Sequence, residues 1–136
     1  TMNTTEPTLR QLEEMAGSNL DQSFDMINLL KYREFAVYDS EDENTIGRTG
    51  REAYGEYGKV VLPKIIALGG KLAYRGSCQY HFVGDESQEY DELIIVRYPS
   101  RRAYLDMFNS SEYQSAIRHR KAGLEFRVLH VCTPSS

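Results

Sequence analysis

Glu92 to Leu124, ELIIVRYPSRRAYLDMFNSSEYQSAIRHRKAGL, writes a buried strand, a hard stop and two amphipathic helices in succession. Leu93, Ile94, Ile95 and Val96 form an uninterrupted apolar run, as a strand does when both of its faces are covered. Pro99 ends the ladder, and Ser100 follows as a helix N-cap whose hydroxyl can accept from the free amides of the first turn. Ala103, Tyr104, Met107 and Phe108 then recur at helical spacing. Ser111 with Gln114 three residues on reads as a capping box, and Tyr113, Ala116, Ile117 and Arg120 sit at i, i+3, i+4 and i+7 on one face. Gly123 closes this helix as a left-handed C-cap. Arg120 puts a guanidinium on an otherwise apolar stripe. Either its head snorkels to water near the helix C-terminus, where the dipole favours a cation, or it lies in a cavity and meets a carboxylate from this chain or from a ligand.

Upstream, Thr8 and Gln11 cap a short helix that Gly17 stops, with Leu9, Leu12 and Met15 as a narrow apolar edge that must lie on something or fray. Phe24 to Tyr32, FDMINLLKY, is apolar on both sides apart from Asn28 and Lys31, so it reads as a central strand. Asp39 to Asn44 is an acidic, solvated loop expected to be mobile. Thr49 and Glu52 form a capping box ahead of a helix whose core side carries Tyr54, Tyr57, Val61, Ile65 and Leu68, with Gly69-Gly70 as its stop and Pro63 expected to kink or break it. Leu72 to Val83 alternates by strand period, placing Leu72, Tyr74, Cys78, Tyr80 and Phe82 on one side, as an edge strand does. Phe126 to Cys132 is the last strand.

The order is β-α-β-β-α-β, an α+β, ferredoxin-like arrangement with a four-stranded antiparallel sheet, first and third strands central. It divides the chain into an N-terminal helical extension over 1–23, the ferredoxin-like domain over 24–132 and a loose tail over 133–136. The helices can cover one face of such a sheet. Central strands that are apolar on both faces call for a cover on the other, and a second copy of the same sheet is the natural one, so a homodimer is expected.

The whole chain is 136 residues with net charge −4, one domain's worth and mildly acidic, which argues against tracking nucleic acid or an anionic membrane. No apolar run approaches the roughly twenty residues needed to cross a bilayer, and the polar N-terminus has no signal-peptide pattern. Cys78 and Cys132 have no ligand-spaced partners, so free thiols in a reducing cytoplasm are expected and no metal site is indicated. His81, His119 and His130 are scattered one to an element.

Tyr54-x-x-Tyr57, Pro63, Gly69-Gly70, Arg75-Gly76, Gly84-Asp85, Tyr98-Pro99-Ser100, Ser111-Glu112-Tyr113-Gln114 and Arg120 fall in the order and spacing of the family called domain of unknown function 1330. The chain resembles that family over roughly residues 24 to 132. The resemblance implies a dimeric α/β barrel, in which two ferredoxin-like subunits pack sheet against sheet. Relatives of that fold include cofactor-free monooxygenases, isomerases, dehydratases and haem proteins, so it implies architecture more than chemistry, and it carries over no catalytic residue. The N-terminal helix and the long acidic loop distinguish this chain from shorter members, and either could frame a pocket.

Polar side chains at positions that ought to be buried are the functional pointers, because burial without a partner is costly. Asn28, Tyr54, Tyr57, Arg97 and Arg120 converge on a cleft between sheet and helices if Asn28 and Arg97 both face the helices, and His119 adds a possible acid or base beside Arg120. The structural alternatives are a satisfied Asn28, core tyrosines, an Arg97 that reaches water and a solvated His119. No GxGxxG, phosphate loop, GxSxG elbow or paired-carboxylate motif occurs, so no cofactor is expected. Two functions remain: a cofactor-independent enzyme, monooxygenase- or isomerase-like, acting on a small anionic or phenolic metabolite, or a non-catalytic ligand-binding or protein-interaction module.

Overall fold

The computed structural model describes residues 4–85, 87 and 89–135. Residues 1–3 of the expected extension and residue 136 of the expected tail lie outside them. Strands β1 (Phe24–Tyr32), β2 (Lys71–Ser77), β3 (Glu92–Tyr98) and β4 (Leu124–Cys132) form one antiparallel sheet in the order β2-β3-β1-β4. Helices are α1 (Leu9–Ala16), α2 (Glu41–Asn44), α3 (Gly50–Ala67), α4 (Arg101–Phe108) and α5 (Ser111–Gly123). This is the ferredoxin-like topology, with the two apolar strands β1 and β3 at the centre.

Alternation along the central strands sorts the two faces. Phe24, Met26, Asn28, Leu30 and Tyr32 of β1 are buried under the helices, as are Glu92, Ile94, Val96 and Tyr98 of β3. Tyr57, Val61 and Ile65 of α3 and Tyr113 and Ala116 of α5 meet them to make the core. Ile27, Leu29, Leu93 and Ile95 point the other way and are half-buried. The register puts Val128 on that same open face, and it is 43% exposed.

Caps fall largely where the residue pattern puts them: Thr8 and Thr49 complete capping boxes with Gln11 and Glu52, and Ser100 accepts from Ala103 N. Gly69, at φ 95°, supplies the left-handed residue after α3. Several expectations are corrected. The acidic segment forms a helical turn, α2, capped by Ser40 and tied down where Asn44 donates to the Tyr38 carbonyl and accepts from its amide. Helix α3 continues through Pro63 without a break, because Pro63 and Lys59, whose carbonyl loses its donor, both lie on the exposed side where water can substitute. The cap of α5 is Ser110, one residue earlier than expected, and Gln114 instead donates to the Phe108 carbonyl.

Gly123 has no positive φ; it is required by contact. A Cβ there would meet the Gly50 carbonyl oxygen at 2.4 Å, so α3 and α5 touch through two glycines. Strand β2 ends at Ser77, not Val83. A register shift between Leu72 and Tyr74 pairs Leu72 with Val96 and Tyr74 with Ile95, on opposite faces. Beyond the strand, Tyr80 and Phe82 are 84% and 92% exposed. The N-terminal helix lies on the domain itself: Met15 packs on the core, and Glu6 ahead of it reaches Arg120.

Candidate functional site

Between α3 and the helix-facing side of the sheet lies a cavity of about 300 Å³. Its apolar wall comes from alternate strand positions, Met26, Ile94, Val96 and Leu129, facing Val61 and Ile65 one turn apart on α3. Five tyrosines, Tyr54, Tyr57, Tyr98, Tyr104 and Tyr113, line the rest, so the surface is flat-faced and carries hydroxyls at its rim and back.

Asn28 is buried in this wall. Its Nδ2 donates to the Met26 carbonyl at 3.1 Å and to the Ile94 carbonyl at 3.3 Å, while its Oδ1 accepts from no group among the described residues. The amide is thereby oriented, with its acceptor left over. Tyr57 and Tyr113 form a second oriented group. Their hydroxyls are 3.0 Å apart, and Arg120 Nη1 donates to both, at 3.2 Å and 2.7 Å. Since the guanidinium only donates, one phenolic proton serves the mutual bond and the other is free to be offered to the cavity. Burial pushes the phenols of Tyr54 and Tyr57 well above the ordinary tyrosine range, outweighing the pull of Arg120 and Arg127, and it raises Tyr98, Tyr104 and Tyr113 as well. At neutral pH these are hydroxyl donors and not bases.

Arg120 is completely buried, and its stem fills the α5 stripe that the sequence assigns to the core. Burial works against its charge, but Tyr57, Tyr113 and Glu6 more than compensate. The carboxylate is the chain's own: Arg120 Nη2 donates to Glu6 Oε1 at 2.8 Å. Nothing in the sequence near Glu6 signals this pairing, because the reach spans 114 residues.

Arg127 is the cation that sequence reasoning missed. It lies on β4 opposite Leu30 and faces the helices, half-buried. Its Nε donates to the Thr5 carbonyl at 2.6 Å and its backbone N–H to the Thr4 carbonyl at 3.0 Å. Among the described residues no carboxylate pairs with it. It borders both the tyrosine-lined cavity and a second one, about 730 Å³, that runs between β4 and the segment from Thr4 to Ser18. The alternation of Phe126 to Cys132 could have found it, since Arg127 shares a side with Leu129.

Arg75, also on the cavity rim, is already engaged. Its Nε and Nη2 donate to the two oxygens of buried Glu92, at 3.1 and 3.3 Å, and Tyr32 Oη donates to Glu92 as well. Burial would raise the Glu92 carboxyl, but the hydrogen bonds from Arg75 and Tyr32, with the nearby charges of Arg75 and Arg51, hold it below the usual range.

Of the sequence-derived candidates, Asn28, Tyr54 and Tyr57 line the cavity, and Arg120 backs it. Arg97 does not belong there. It points to the open face of the sheet, one residue out of phase with Asn28 across the β1–β3 register, and forks onto Asp25 at 2.8 and 3.1 Å. His119 is likewise elsewhere: its Nδ1 is 2.6 Å from Tyr38 Oη, on the far side of α5, where burial and Arg118 lower its pKa. No group of three or more His, Cys, Asp or Glu side chains is placed to hold a metal among the described residues.

A four-stranded ferredoxin-like sheet with a phenol-lined cleft under one long helix defines the class of small α+β domain to which the chain is assigned. Residues 45–133 match the model of DUF1330, a domain of unknown function, and the chain belongs to that family. The structure is similar to the crystal structure of RPA0582, a protein of unknown function from Rhodopseudomonas palustris, at 27% identity and TM-score 0.89, with 99% of each chain covered. The methylated form of RPA0582 matches at 27% identity and TM-score 0.90, covering 100% of this chain and 98% of that one. Among curated proteins none matches it.

Proposed function

We propose that this chain is a homodimeric small-molecule-binding protein whose cleft takes a compact, largely aromatic or apolar molecule bearing one anionic group. The observation that carries the reading is Arg127: a half-buried guanidinium with no carboxylate partner among the described residues, on the wall of a cavity made largely of tyrosine rings and aliphatic side chains. A carboxylate or phenolate meeting it there would gain a charge-assisted hydrogen bond in a poorly hydrated site. The free Asn28 Oδ1 and the spare proton of the Tyr57–Tyr113 pair would fix the rest of the molecule.

Binding is favoured over catalysis because the titratable groups on the cavity wall are tyrosines whose pKa values rise, arginines and Lys59; none of the described lining residues is a carboxylate or an imidazole. Proton abstraction near neutral pH would lack a base. Self-association is supported by the open face of the sheet, where Ile27, Leu29, Leu93, Ile95 and Val128 form a contiguous apolar surface that no helix of the described chain covers. No helix is long and apolar enough to cross a membrane among the described residues.

Titration of isotope-labelled protein with benzoate tests the site. The Asn28 side-chain amide and the methyl groups of Met26 and Leu129 should shift together and saturate. Shifts confined to exposed basic residues such as Arg118 would place the anion elsewhere.

A further inference from the structure

The Glu6–Arg120 pair is imperfect in a particular way. It makes one hydrogen bond, while Glu6 Oε2 and Arg120 Nε are both buried without a partner among the described residues. A carboxylate approaching side-on would engage Nε and Nη2 together, the bidentate geometry that guanidinium groups favour. Glu6 does not do so: its Oε1 alone meets Nη2, and the Thr8–Gln11 capping box fixes the chain immediately beyond. Ahead of it, the segment is held by the two bonds that Arg127 makes to the Thr4 and Thr5 carbonyls.

We propose that Arg120 is a carboxylate subsite which the chain's own Glu6 occupies, so that a small carboxylate can take the place of the Glu6 side chain. Arg120 offers a fully buried guanidinium with an unused donor, oriented by Tyr57 and Tyr113 from behind. Glu6 closes it from the side of the larger cavity, and that cavity shares Met26, Tyr104, Arg127 and Leu129 with the tyrosine-lined one. An anion on Arg127 also competes with the Thr5 carbonyl for Nε, which loosens the same segment. The two cationic positions are thus linked through residues 4–7. The subsite stands on Arg120 alone; only this linkage rests on the ligand reading given above.

Formate is the probe, compared with chloride at equal ionic strength on the full chain. Glu6→Gln removes the built-in carboxylate and should lower the melting temperature. Formate, but not chloride, should then raise it by about 4 °C or more, and should leave the wild type nearly unmoved. The double variant Glu6→Gln/Arg120→Met should show no formate-specific response. If Glu6→Gln does not fold, Glu6→Asp, which withdraws the charge by one methylene, is read in the same way. Equal responses to both salts, or a formate response that survives in the double variant, overturn the proposal. Benzoate binding by the wild type through Arg127 can succeed or fail independently of either result.

Discussion

Arg120 and Glu6 meet at 2.8 Å across most of the length of the chain, the one fully buried and the other about one-third exposed. A guanidinium on the core face of α5 is therefore neutralised by a residue that precedes the first helix. The segment ahead of the first helix thus reaches the domain's core through one side chain.

Arg120→Met is expected to destabilise the protein by about 3 kcal/mol, since it strands the Glu6 carboxylate and removes the donor shared by Tyr57 and Tyr113. Urea denaturation measures this directly. A change within about 0.5 kcal/mol of the wild type would mean that the buried pair is dispensable.

Glu92 should make stability acid-sensitive. Its carboxyl is held below the ordinary glutamate value of 4.5 in the folded protein by Arg75 and Tyr32, although burial opposes the shift. A depressed folded-state pKa contributes stability that is fully present above the unfolded value and is lost as pH falls through the folded one. The urea midpoint should accordingly drop as the pH is taken below about 4.5, and Glu92→Gln, less stable at neutral pH, should flatten that part of the profile. An unchanged acid limb in the variant would assign the loss to other carboxylates.

Ile95→Asp on the open face of the sheet should convert a dimer into a monomer. In an isologous interface the change is felt twice, and each apolar side chain buried there is worth about 1.5–3 kcal/mol. Sedimentation velocity at micromolar concentration distinguishes the species. A wild-type chain that sediments as a monomer would contradict the sheet-to-sheet pairing.

Strand order was legible because β1 and β3 are apolar on both faces and no local bonding choice competes with that signal. The failures were local or long-range. Ser110 rather than Ser111 caps α5, a one-residue ambiguity between adjacent serines. The shift at Leu72/Tyr74 reversed the expected phase of β2, and a bulge leaves no mark on hydrophobic alternation. Arg97 was placed in the cleft by assuming its phase relative to Asn28, and the β1–β3 register turns it to the opposite face. Asn28, Tyr54 and Tyr57 were legible as polar groups on apolar faces. Glu6 was not, because its pairing is set by tertiary geometry, and Arg127 was passed over although its strand parity was available.

If the cleft binds an anion-bearing small molecule through Arg127, calorimetric titration should separate benzoate from its neutral counterpart benzamide. The wild type should prefer benzoate, and Arg127→Met should weaken benzoate about 10- to 100-fold while leaving benzamide nearly unchanged. Equal affinity for the two compounds, or benzoate binding that is indifferent to Arg127→Met, would contradict binding through Arg127.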